Sequence, residues 1–323
     1  MKRLFKHVVI LLLFAVIVSG CQNTSQSHEK VEESTEQSSE PYLTFEDFDG
    51  ETVTLQEKPQ YIVILKDEVL HSFYQVGGEA AGITNAFTIE PPEEAIDVPK
   101  VGFMHEVNME KVFELKPDLV IGQRFTHGDL RDTFKEAGIA FANLNTQSIE
   151  EIRENTLLMG EITDNQDKAE ALIKEMDSEI NQIVEQIPDD KEIPTYAIMT
   201  IMGDAAFVEQ GPTIGVDIAN QLKLKNVTES LEGEVMAGFI PFSMEAMVEV
   251  DPDYLFILSH TTDEDAVKII ENNYKSNSAW KSLSAVTNDR LYFLPTNKFV
   301  MAPGVDVVDS YKYMADIVYS YSD

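Results

Sequence analysis

Two glutamates occupy the same place in a phrase that the chain uses twice. Met109-Glu110-Lys111-Val112-Phe113-Glu114-Leu115-Lys116-Pro117-Asp118-Leu119-Val120-Ile121 returns without a gap, 135 positions later, as Met244-Glu245-Ala246-Met247-Val248-Glu249-Val250-Asp251-Pro252-Asp253-Tyr254-Leu255-Phe256. Carboxylates repeated in equal register suit a two-point electrostatic dock that orients a partner. The simpler alternative is that each supports its own helix start through the dipole. Further chemistry stands where the two phrases run out, at Gly122-Gln123-Arg124-Phe125 and at Leu258-Ser259-His260. Arginine pairs with carboxylates in bidentate fashion, and neutral imidazole binds metals. In the gapless alignment His260 is the counterpart of Phe125.

These residues need elements to hold them. Each copy of the phrase reads as a short helix, a Pro-Asp turn and a buried strand. Upstream, Tyr61 to Leu65 predicts a strand and Glu68 to Val76 a helix stopped by Gly77-Gly78. Ala80 to Ile83, Leu119 to Gly122 and Ile139 to Ala142 read as strands, and 129–138 and 148–160 as helices. From Asp164 to Ile187 one amphipathic stripe (Ala169, Leu172, Ile173, Met176, Ile180, Ile183, Val184, Ile187) predicts a long stiff helix, with Thr163 or Asp164 as its cap. Alternation then restarts with strands at Tyr196 to Ile201, Tyr254 to Leu258 and Leu291 to Leu294. Helices fall at Gly215 to Leu222, Asp263 to Asn273 and Val307 to Tyr319. Strands alternating with helices imply parallel sheets covered by helices. The expected architecture is α/β: two Rossmann-like lobes, at 41–160 and 190–323, bridged by one long helix within 161–189. Ligands of open α/β sheets bind beyond the carboxyl ends of the strands, so the site is expected in a cleft between the lobes.

The N-terminus carries a targeting pattern. Lys2, Arg3 and Lys6 precede an apolar run from Val8 to Val18, too short to span a bilayer, and then Val18-Ser19-Gly20-Cys21. This resembles a lipobox, with residues 1–20 as signal peptide and Cys21, the only cysteine, as the lipidated first residue. Residues 21–40 have too few apolar side chains to bury a core and read as a disordered tether. Lys+Arg is 24 against Asp+Glu 57, a net charge of −33, which argues against a nucleic-acid partner. Nucleophile-elbow, P-loop and dinucleotide-fingerprint patterns are absent, as is any His/Cys cluster with structural zinc spacing, so an enzyme is not expected.

The body also resembles a known family. Val101-Gly102, Asn108-Met109-Glu110 and Leu115-Lys116-Pro117-Asp118-Leu119-Val120-Ile121 look like the first-lobe pattern of substrate-binding proteins of ABC importers for iron chelates and cobalamin. Trp280-Lys281-Ser282-Leu283-Ser284-Ala285-Val286 and Asn288-Asp289-Arg290-Leu291-Tyr292 look like their second-lobe pattern. The resemblance implies that Glu110 and Glu245 engage basic residues of a membrane permease, which works with its ATPase. It implies a monomer, lipid-anchored on the outer face of the cell membrane, with no chemistry done on its cargo.

The cargo is less sharply written. Haem-binding lipoproteins of this family carry a histidine after the second-lobe strand, and Leu258-Ser259-His260 is similar, which implies His260 as an axial ligand of haem iron. Their second ligand is a methionine in the first lobe. In Phe103-Met104-His105-Glu106, His105 falls at that place and Met104 one residue before, so either is the candidate. Arg124 is the candidate partner for an anionic group, with Phe125 beside it and His127, Tyr292 and Lys298 as weaker candidates. Phe87, Phe103 and Phe299 are candidates for an apolar wall. The expectation favours haem over a ferric siderophore or ferric citrate. Cobalamin, or a tethered module without transport, ranks lower.

Overall fold

The computed structural model describes residues 40–85, 90–188, 192–233, 235–300 and 304–320. The signal segment, Cys21, nearly all of the tether and Phe87 lie outside them. Lobe one opens with a hairpin, β1 (Leu43–Glu46) and β2 (Thr52–Leu55), whose short alternating strands the sequence reading did not include. There follow β3 (Ile62–Ile64), α1 (Asp67–Gln75), β4 (Gly82–Ile83), a two-pair hairpin of β5 (Gly102–Phe103) and β6 (Glu106–Val107), and α2 (Met109–Glu114). Next come β7 (Leu119–Gly122), α3 (Arg124–His127), α4 (Arg131–Glu136) and β8 (Ala140–Asn143). The sheet order is β4-β3-β7-β8, all parallel. Its strands are buried apolar runs such as Leu119-Val120-Ile121, as expected for a sheet covered on both faces.

Two helices connect the halves. α5 (Ile149–Thr163) starts with a capping box in which Ser148 and Glu151 satisfy each other's backbone, and α6 (Gln166–Glu185) follows. Asp164 does not cap α6. It ends α5 in a left-handed conformation at φ 62°, and Asn165 precedes α6. The bridge is wider than one helix. Met159 and Ile162 of α5 and Ala169 of α6 belong to the core of lobe one, whereas Ile149, Ile152, Met176, Ile180 and Ile183 belong to that of lobe two. The two helices touch closely, since a Cβ on Gly160 would lie 2.6 Å from Cβ of Ala169. The sequence reading placed the helix 148–160 in lobe one alone, because it precedes the long helix in the chain.

Lobe two contains β9 (Thr195–Met202), β10 (Ala205–Glu209), α7 (Ile214–Gln221), β11 (Lys225–Asn226) and β12 (Phe239–Pro241). These are followed by α8 (Met244–Val250), β13 (Tyr254–Ser259), α9 (Asp263–Ile269), α10 (Ser278–Ser282), α11 (Ser284–Thr287), β14 (Leu291–Phe293), α12 (Thr296–Phe299) and α13 (Val308–Tyr319). β11, β9, β13 and β14 run parallel, while β10 and β12 add an antiparallel edge that the alternation rule did not foresee.

The duplicated phrase folds the same way twice. Asn108 caps α2 by accepting from Lys111 N–H, and Ser243 caps α8 by accepting from Ala246 N–H. Val112 and Met247 are buried at matching positions. Lys116 and Asp251, one residue before each proline, both take positive φ (49° and 37°) to turn the chain from helix into strand. Asp118 then accepts from Gln60 and Tyr61 N–H, and Asp253 from Thr195 N–H and hydroxyl, so each ties its strand to the start of the neighbouring parallel strand.

Candidate functional site

The strand exits of both sheets meet at a cleft of about 290 Å³. Lobe one contributes Lys66 and Glu68 after β3, Met104 and His105 at the β5–β6 tip, Gln123 and Thr126 after β7, and Asn145 to Gln147 after β8. Lobe two contributes Glu209, Thr213, Phe239, Leu258, His260 and Phe299 among others. Larger hollows of about 620 Å³ along α6 and about 630 Å³ beside β2 and β8 are lined from the outer faces of the fold and gather none of the strand exits. The cleft is therefore the site the topology singles out.

His260 follows β13 directly, and its backbone N–H donates to Ile201 O at 2.9 Å. Its ring stands edge-on to Phe239, centroids 5.8 Å apart, and no described residue hydrogen-bonds its nitrogens. Burial lowers its pKa, so the imidazole is neutral at neutral pH. His260 lines the cleft, and a neutral imidazole there has the lone pair that a metal complex needs.

Opposite it, Gly102 at φ 110° turns the chain into the hairpin. A Cβ there would meet Glu106 O at 2.4 Å, so only glycine fits. The tip holds Met104, half-buried, and His105, exposed, and both line the cleft. His127 is not a ligand. It is buried, Nδ1 accepts Gln123 N–H at 3.0 Å, and Nε2 lies 2.7 Å from Met104 O, so both ring nitrogens are engaged. Burial pushes its pKa down.

Arg124 and Phe125 stand at the exit of β7 but do not line the cleft. β7 ends at Gly122, two residues earlier than the gapless alignment with β13 required, and Arg124 begins α3. Gln123 takes the position His260 holds in lobe two. The Arg124 guanidinium is exposed and pairs with Asp49 at 3.0 Å, flanked by Phe48 and Phe125, each centroid 5.8 Å away. Phe125 is 66% exposed. Of the remaining candidates, Phe299 lines the cleft; Phe103, Tyr292 and Lys298 do not.

Several cleft residues escaped the sequence reading. Lys66 and Glu68 are buried and paired at 3.1 Å. A charged run directly after the buried strand Ile62–Ile64 was the available signal. Glu209 is buried on β10 and accepts hydroxyl hydrogen bonds from Thr200 and Thr213. Burial nevertheless pushes its pKa up to about 7. No pattern marked it, because β10 belongs to the unforeseen antiparallel edge. Among the described residues the cleft's single lysine is thus matched by Glu68, and no arginine lines it. Among the described residues no three His, Cys, Asp or Glu side chains converge on a metal-sized point.

Glu110 and Glu245 lie away from the cleft, in the first turns of α2 and α8. Both are exposed, and neither makes an ion pair with a described residue.

This fold and its sequence have relatives. The sequence pattern of the periplasmic binding protein family matches residues 62–297, and the chain belongs to that family. Its members are solute-binding proteins, not enzymes. The chain is 28% identical over 320 residues to the uncharacterised ABC transporter substrate-binding lipoprotein YvrC of Bacillus subtilis, covering 96% of this chain and 95% of that protein. It is 25% identical to the Fe(3+)-citrate-binding protein YfmC of the same organism, covering 90% and 89%. Among solved structures, Staphylococcus aureus IsdE complexed with heme superposes with a TM-score of 0.71 at 20% identity, covering 80% of this chain and 98% of that one.

Proposed function

We propose that this chain is the lipid-anchored receptor of an ABC importer and that its cargo is haem. The observation that carries the cargo is the neutral imidazole of His260, without a hydrogen-bond partner among the described residues, on one wall of a cleft whose other wall presents Met104 and His105. His260 with either of these makes an axial pair for iron. The charge inventory supports the same reading: with Lys66 already paired to Glu68, the described cleft lining offers a polycarboxylate ferric chelate little positive charge, whereas haem needs it only at its carboxylate edge. Arg124, exposed outside the cleft, is available to a ligand's carboxylate edge in exchange for Asp49. Glu110 and Glu245 serve as the two docking points for the permease and its ATPase, and Cys21 carries the lipid on the outer face of the membrane. No helix among the described residues is long and apolar enough to cross a bilayer. The monomer takes up its cargo between the lobes and gives it to the permease unchanged.

The test is titration of the apo-protein with haem and, separately, with ferric citrate and a ferric siderophore, followed by absorbance. A Soret band shifted from that of free haem, and altered again in His260→Ala, supports the reading. Binding of a ferric chelate with no haem signal overturns the choice of cargo.

A further inference from the structure

The hairpin tip that brings Met104 and His105 to the cleft has little to hold it. β5 and β6 contribute two residue pairs, Gly102 with Val107 and Phe103 with Glu106, and a ribbon that short is not stable by itself. Its base is anchored: Asn108 N–H donates to Val101 O at 2.7 Å, and Asn85 reaches Gly102 O with both its backbone N–H (2.7 Å) and its side-chain amide (3.1 Å). Its tip is held once. Among the described residues, the one hydrogen bond to Met104 or His105 runs from His127 Nε2 to Met104 O. Because Gln123 N–H already donates to Nδ1, the ring proton must sit on Nε2, and it is donated to that carbonyl. His127 is 1% exposed and belongs to the turn whose Gln123 and Thr126 line the cleft. One imidazole therefore locks the cleft-lining turn after β7 to the cleft-lining tip of the hairpin.

We propose that His127 is a positioning residue for the metal complex: its Nε2–H fixes how far the Met104–His105 tip reaches into the cleft, and so sets how tightly the cargo is held. This rests on the reading of the cleft as a metal-complex site. A group that orients a metal ligand from behind typically changes affinity by about 10–100-fold when removed.

Three variants separate positioning from mere packing. In His127→Gln the side-chain amide takes the place of Nε2 and keeps a donor for Met104 O. In His127→Asn the side chain reaches only the Nδ1 position, keeping an acceptor for Gln123 N–H and losing Met104. His127→Phe fills the volume and loses both. The expected result is haem dissociation about tenfold faster in His127→Asn and His127→Phe and close to the parent in His127→Gln. Rates that follow thermal stability across the set, instead of the presence of a donor to Met104, overturn the proposal. Hydrogen exchange in the apo-protein reads the same geometry without cargo. Amides of Met104, His105 and Glu106 should exchange faster in His127→Asn and His127→Phe but not in His127→Gln, and equal exchange in all three overturns the proposal. If the parent protein takes up no haem, the choice of cargo fails, while the exchange pattern still decides the role of His127.

Discussion

Asp217 of α7 ties down the start of the bridging helix α5: its Oδ2 accepts the N–H of Ile149, the first residue of α5, at 2.8 Å. A carboxylate at a helix N-terminus satisfies an otherwise orphaned donor and meets the positive end of the dipole. Here α7 holds the end of α5 that packs in the core of lobe two, so the bond fixes how the bridging helix leaves that lobe. Gln75 of α1 adds a bond between the lobes, to Asp306 at 2.9 Å. Asp217→Ala should lower stability by about 1–2 kcal/mol and speed cargo exchange, because the relative setting of the lobes loosens. Thermal unfolding and dissociation kinetics check this; a variant unchanged in both would mean the bond is incidental.

The His260 reading has a pH signature. Burial lowers the pKa of this imidazole, so the neutral, metal-binding form persists below the usual histidine range. Haem affinity should stay flat from neutral pH down through about 6.5 and fall only at lower pH, as protons compete for the ring. Affinity measured by absorbance across pH 5–8 in the parent and in His260→Ala tests it: the variant should lose the acid limb, and an unchanged limb would remove His260 from the site.

Glu110 and Glu245 should matter for transport and not for capture. Both are exposed and remote from the cleft lining, so Glu110→Ala with Glu245→Ala should leave haem affinity intact while uptake drops by at least about tenfold. Uptake at the parent rate would end the docking assignment.

Glu209 should give the fold a pH-dependent component of stability. Its folded pKa of about 7 lies above the ordinary carboxyl value of 4.5. Between those values the folded state keeps a proton that the unfolded chain has released. Stability from this group is therefore full below about 4.5 and lost as pH rises through 7, by roughly 3 kcal/mol at most. Glu209→Gln, which keeps an acceptor and cannot ionise, should flatten that slope. Denaturant unfolding at pH 5 and pH 8 measures the difference, and equal slopes in parent and variant would show that Glu209 does not titrate there.

The proposed lipid anchor at Cys21 is open to a direct test. Cys21→Ala should release the protein into the soluble fraction of cells that otherwise hold it on their membranes, and fractionation with detection of the chain reads the outcome directly. Retention of the variant would assign the attachment elsewhere.

The sequence by itself determined the elements and the repeat. Apolar runs such as Leu119–Ile121 and Tyr254–Leu258, the stripe from Ala169 to Ile187 and the paired Pro-Asp turns are local signals, because helix and strand periods are set by nearest neighbours along the chain. The repeat likewise revealed Glu110 and Glu245, since equal local structure exposes equal positions. What tertiary structure decided was which strand exits face each other. In the gapless alignment β13 runs two residues further than β7, and His260 lines the cleft while Arg124 and Phe125 turn outward onto α3. Lys66, Glu68 and Glu209 became cleft residues only through pairings between distant segments. His127 exchanged the role of a candidate ligand for that of a buried strut, because its two partners, Gln123 and Met104, come together only in the folded chain. Periodicity records which face of an element is buried; the direction of a side chain at the end of a strand depends on contacts that no local pattern encodes.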